Sequence, residues 1–139
     1  MPFIRLLALV LGVVYTLVGI AGFIPPLLAR IAAGVTGPFA GNLLGIFAVN
    51  WFHSLAHLLI GLAGLAAYRS YSASRTYSLV IGLAYALLFV LGLLSRPVGT
   101  LGGLLPLNSA DDILHIATAA VLLVAYFAAG SRGEVTAGR

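Results

Sequence analysis

The chain has 139 residues, 62% hydrophobic and only 7% charged, with a mean hydropathy of +1.16. A soluble domain usually carries about 25% charged residues, so lipid is the expected solvent for this single integral membrane domain. The absence of cysteine excludes disulfides, thiolate metal sites and cysteine nucleophiles. The net charge of +4 comes from arginines scattered singly, with no lysine; that excludes a nucleic-acid footprint and reads as topological charge at helix ends.

In chain order, residues 3–24 are almost wholly apolar, with one early charge at Arg5. The run is longer than the roughly 7–15 apolar residues of a signal-peptide core. It ends at Pro25-Pro26, so a retained first transmembrane helix is expected. Residues 27–49 contain Arg30, Gly34, Gly37, Pro38 and Gly41. Unpaired backbone cannot sit in hydrocarbon. This segment is therefore expected at the interface, as a connector or a lid, with a short amphipathic helix over Leu27–Ala33.

A second helix is expected over 51–68 and a third over 77–95. The short polar gap from Arg69 to Thr76 makes them antiparallel neighbours. Ser95-Arg96-Pro97 stops the third, a Gly/Leu/Pro loop over 98–107 follows, and the fourth helix runs over about 109–129. The tail from Gly130 frays. Each run approaches the roughly 20 residues that span a bilayer. The fold class expected is all-α membrane, a bundle of four transmembrane helices. With both termini cytoplasmic, Arg5, Arg69, Arg75, Arg132 and Arg139 lie inside and Arg30 and Arg96 outside, as a multi-pass protein of the cell membrane should have them.

The helices also repeat. A shift of 58 lays the second on the fourth: Asn50 on Asn108, His53 on Asp111, His57 on His115, Leu65 on Leu123, Tyr68 on Tyr126. A shift of 70 lays the first on the third: Gly12 on Gly82, Tyr15 on Tyr85, Gly22 on Gly92. The chain thus reads as two tandem helical hairpins, an internal repeat of parallel sense.

All three histidines and two of the three acidic residues lie in the repeated stretches Asn50–His57 and Asn108–His115. Four-residue spacing puts His53 and His57 on one helix face, continued by Gly61, Gly64 and Tyr68. It puts Asp111 and His115 on the matching face, continued by Ala119 and Tyr126. Small residues at Gly61, Gly64 and Ala119 allow close approach. A cluster of His53, His57, Asp111 and His115 near the outer face is expected.

Several chemistries suit such a cluster. Imidazole and carboxylate hold zinc or another divalent transition metal, making His53, His57, Asp111 and His115 candidate ligands. Haem between His57 and His115 is a weaker expectation. A third reading is structural or accessory: Asn50 and Asn108 stand at N-cap positions, Asp111 at the third helical position of a capping box, and Asp112 beside it as a supporting carboxylate. A fourth is a proton or ion pathway, for which so small a chain is expected to form a homo-oligomer or join a larger membrane complex. Ser54 and Ser109 give no nucleophile signature, so an enzyme is not expected. Tyr68, Tyr126, Trp51 and Phe52 fit interfacial aromatic belts.

The segments from Tyr15 to Pro25, from Leu43 to Asn50 with His53 and His57, and from Pro106 to Asp111 with His115 resemble a family of small bacterial membrane proteins known as domain of unknown function 4383. The resemblance covers nearly the whole chain. It implies four membrane helices and carries no activity with it. Members of that family often place Asn after the first histidine and after the aspartate; here those positions are Ser54 and Asp112.

Overall fold

A computed structural model describes residues 1–29, 37–94 and 104–137, with side chains as far as Gly130. Four helices make up most of it: α1 (Phe3–Ala21), α2 (Trp51–Ala67), α3 (Tyr71–Leu94) and α4 (Ser109–Ala137). α1 packs chiefly on α2, and α3 chiefly on α4. Glycines set the first of these contacts. A Cβ on Gly61 would fall within 2.8 Å of the Thr16 backbone, and one on Gly64 within 2.9 Å of the Gly12 Cα. Only at this separation do α1 and α2 fit backbone to backbone.

Three of the helices are long and apolar enough to cross a membrane: α1, α3 and the Ser109–Gly130 part of α4. α2 is a shorter apolar helix of 17 residues, about 25 Å at 1.5 Å per residue. The distribution of side chains is the reverse of a soluble protein's. Leu17, Leu59, Leu83, Leu87, Val124 and Phe127 face outward, while Ser74, Ser78, Tyr77, Tyr85, His53, His57 and His115 are buried. Water would reverse that arrangement; an apolar solvent favours it.

The expectation of an all-α chain is corrected by a three-stranded antiparallel sheet, β1 (Leu28–Ala29), β2 (Gly41–Leu43) and β3 (Phe47–Val49), in that order. Leu28 pairs with Leu43, and Gly41 with Val49. The cause is the backbone accounting that forbids bare loops near hydrocarbon: these peptides pair with one another. The turn from β2 to β3 places Leu44 and Gly45 at positive φ, 51° and 76°. A short 3₁₀ turn, Pro25–Leu27, follows α1, and Leu28 and Ala29 are strand rather than helix. The remainder of the expected helix over Leu27–Ala33 lies outside the described residues, as do the expected stop at Ser95-Arg96-Pro97 and residues 98–103 of the loop after it.

Helix ends also differ from expectation. α1 closes at Ala21, before the prolines. α3 begins at Tyr71, so the polar segment read as a linker is its first turns. Ser70 caps it through Oγ to the Ala73 N–H at 3.3 Å, and Ser74 turns inward to donate to the Ala67 carbonyl at 3.0 Å. Serine satisfies its hydroxyl on nearby backbone, which makes a polar helical start stable. α4 runs on to Ala137, past the expected end at about 129.

Candidate metal centre

The sheet and the starts of α2 and α4 meet at one end of the bundle. Asn50 caps α2, its Oδ1 accepting the His53 N–H at 3.0 Å. Asn108 does the same for α4, accepting the Asp111 N–H at 3.0 Å, and Asp111 Oδ2 accepts the Asn108 N–H in return at 2.9 Å. This reciprocal pair is a capping box with aspartate in the glutamate position. The two asparagines also reach across. Asn50 Nδ2 donates to the Leu104 carbonyl at 2.9 Å, and Asn108 Nδ2 to the Ile46 carbonyl at 2.7 Å. The acceptors are themselves 58 positions apart.

Ala48 on β3 joins the two halves by its peptide groups. Its N–H donates to Asp111 Oδ2 at 3.0 Å, and its carbonyl lies 2.9 Å from His53 Nδ1. A carbonyl can only accept, so Nδ1 of His53 carries a proton. In the neutral ring this leaves Nε2 with the lone pair. A second backbone carbonyl, that of Pro106, also lies within reach of the imidazole.

Behind this layer the three histidines converge. One nitrogen from each of His53, His57 and His115 lies within 4.8 Å of the others, and all three residues are buried. The His53 and His57 ring centroids are 4.5 Å apart, those of His53 and His115 6.2 Å. Both nitrogens of His57 and both of His115 have no hydrogen-bond partner among the described residues. Asp111 does not belong to this three-histidine group. Its Oδ2 is committed to Ala48 and Asn108, and its Oδ1 is buried without a partner among the described residues. Asp112 is buried against Gly92, and Ser54, 58 positions before Asp112, is buried against Gly22.

Two tyrosines form the floor of the cluster. Tyr15 lies 5.2 Å from His57 and Tyr85 4.9 Å from His115, centroid to centroid, and the two tyrosines stack at 5.5 Å. Tyr15 shares a hydrogen bond of 2.8 Å with Thr118. Sequence reasoning paired Tyr15 with Tyr85 but gave neither a place at the site. The available signal was the buried line Ile4, Ala8, Gly12, Tyr15, Gly19 on α1: a lone large polar ring in a seam of small residues has to point at something. The role of Ala48 had no such signal, because it acts through backbone alone.

Two buried imidazoles whose nitrogens have no partner among the described residues, beside a third held by backbone carbonyls, can accept a divalent ion. Tetrahedral zinc with nitrogens at 2.0–2.1 Å sets those nitrogens about 3.3 Å apart. The rings here must draw in by up to about 1.5 Å from the 4.8 Å limit, a side-chain adjustment. The backbone bond on His53 Nδ1 is the outer-shell contact that metal-bound histidines ordinarily make.

Residues 5–128 match the model of the family described as Domain of unknown function (DUF4383), and the chain belongs to that family. It matches no curated protein and no solved structure.

Proposed function

We propose that the chain is a four-span membrane protein, built of two tandem hairpins, that binds one divalent transition metal through His53, His57 and His115. The observation that carries the metal is the set of four partnerless ring nitrogens on His57 and His115, next to a third imidazole already oriented by Ala48. Each buried polar group left unsatisfied costs about 1–3 kcal/mol. A bound ion turns that cost into coordination at one nitrogen of each ring.

The repeat is supported by contacts that recur at the expected shifts. Tyr15 meets His57 as Tyr85 meets His115; Gly12 packs on Leu65 as Gly82 packs on Leu123; the two asparagines exchange bonds to Ile46 and Leu104. A pseudo-twofold axis along the membrane normal relates such hairpins. α2 is then a span in its own right, pairing with α1 along its whole length. The arginine distribution favours cytoplasmic termini, with the metal site toward the outer side.

A purely structural cluster is the second reading, and one observation favours it. Asn50, Asn108 and Asp111 Oδ2 tie the two hairpins together with no ion needed. It leaves His57 and His115 unexplained. Haem fits less well, because Tyr15, Tyr85 and His53 already pack against the rings it would have to separate.

Equilibrium binding of zinc to detergent-purified protein, read by elemental analysis, tests the proposal. One zinc per chain is expected, with affinity falling about 10–100-fold or more in His57→Ala, the loss that follows even from disturbing a ligand's support. Binding that is absent, or unchanged in His57→Ala, contradicts it.

A further inference from the structure

The far end of the bundle, where α2 gives way to α3, carries a different kind of site. A cleft of about 230 Å³ lies between the first turns of α3 and the C-terminal half of α4, lined by Tyr71, Ser72, Arg75, Thr76, Leu79 and Tyr126. Spacing brings the polar groups together: Tyr71 and Arg75 are one turn apart, as are Ser72 and Thr76. Ser72 and Thr76 are exposed, so the cleft opens to the outside of the bundle. The Tyr71 hydroxyl donates to the Ala129 carbonyl at 2.7 Å and pins the start of α3 to α4.

Arg75 is held in a way that leaves its charge unanswered. Its guanidinium carbon lies 4.6 Å from the centroid of the Tyr126 ring. A Cβ at Gly130, one turn further along α4, would come within 2.9 Å of its Nη2, so the glycine leaves the room that this group occupies. Stacking on a ring beside bare backbone fixes a planar cation without neutralising it. Its Nε is buried with no partner among the described residues. The two described acids, Asp111 and Asp112, stand in the first turn of α4, about 21 Å back along the axis from Tyr126 at 1.5 Å per residue. The other described charged side chains at this end are Arg5, which donates to the Tyr68 carbonyl at 2.7 Å, and Arg69, exposed beyond the end of α2. All are positive.

We propose that this cleft binds the phosphate of an anionic phospholipid headgroup, with Arg75 as the cation and Ser72 and Thr76 as hydroxyl donors at its mouth. Arginine forks onto phosphate oxygens with strong, directional bonds. Two observations favour a lipid over free phosphate. Past Arg75 the wall of the cleft is Leu79, and one turn further on α3 presents the exposed Leu83; a headgroup site that runs into an apolar stripe suits a molecule with acyl chains. The described charges around it are also of one sign, as in the basic pockets between membrane helices that take lipid headgroups. The site rests on the spanning topology proposed above and owes nothing to the metal, whose ligands lie toward the opposite end.

Native mass spectrometry of the full-length protein, released from a neutral detergent and titrated with phosphatidylglycerol, phosphatidylcholine or inorganic phosphate, tests the site. One phosphatidylglycerol per chain is expected, bound about tenfold or more tighter than phosphatidylcholine, whose phosphate is already paired with its own choline, and Arg75→Gln should weaken it about tenfold. Arg69→Gln removes an equal charge from outside the cleft and should weaken it far less. Equal binding of the two lipids, equal losses in Arg75→Gln and Arg69→Gln, or displacement of the lipid by inorganic phosphate at equal concentration overturns the proposal. Circular dichroism reports whether each variant is folded. Should Arg75→Gln lose its helicity, the exposed pair Ser72→Ala with Thr76→Val decides: weaker phosphatidylglycerol binding supports the site and unchanged binding overturns it. Zinc binding lost with lipid binding kept would sink the metal reading alone, and the reverse would sink this proposal alone.

Discussion

The two ends of the polar system obey opposite rules. At the end where α2 and α4 begin, Asn50, Asn108, Asp111 Oδ2 and Ala48 are paired donor to acceptor, and the bonds from Ala48 to Asp111, Asn50 to Leu104 and Asn108 to Ile46 join the two halves of the chain. One layer deeper, His57 and His115 are as deeply buried but their ring nitrogens have no hydrogen-bond partners among the described residues. Paired groups hold an architecture. Unpaired ones in the same low-dielectric surroundings cost stability, and their persistence points to something that arrives later: an ion or a water. The contrast predicts that removing polar atoms should be costly in the first layer and nearly free in the second.

Asp111→Ala gives the largest expected effect. It strips two backbone hydrogen bonds from a buried carboxyl and strands the Ala48 N–H, so unfolding measured in detergent or bicelles should show a loss of about 3 kcal/mol. A loss below about 1 kcal/mol would mean this layer is not the tie described. Next comes zinc. At 100 times its dissociation constant it should stabilise the wild type by about 2.7 kcal/mol and His115→Leu by none. Equal stabilisation of both would place the ion elsewhere.

Leu44→Gly probes the sheet over the site. Leu44 holds a φ of 51° and is 66% exposed, so glycine should relieve about 1 kcal/mol of backbone strain. A destabilised variant would show that the leucine side chain matters more than its backbone. Smallest of all, Tyr85→Phe should change stability by less than about 1 kcal/mol, because the Tyr15 hydroxyl that its own hydroxyl faces keeps its bond to Thr118. A larger loss would erase the difference between the layers.

Much of this was legible in the chain before its fold. Long apolar runs mark α1 and the body of each later helix, and four-residue spacing places His53 and His57 on one face. Asn50 and Asn108 carry the mark of caps because a short amide side chain is what the start of a helix needs. The sheet was not legible: strands of two or three residues are too short to show alternation. Nor was the start of α3, since Ser72 to Thr76 look like a linker until Ser70 and Ser74 are seen to satisfy their hydroxyls on the helix itself. The link from His53 to Asp111 through the peptide of Ala48 leaves no trace in side-chain identity at all.

The central claim is that three imidazoles from α2 and α4 take hold of one ion. X-ray absorption at the zinc edge, on zinc-loaded protein, tests it most directly. The account predicts a shell with three imidazole nitrogens at about 2.0–2.1 Å, reduced to two in His53→Ala and again in His115→Ala. A shell of oxygens alone, or one indifferent to either substitution, would contradict it.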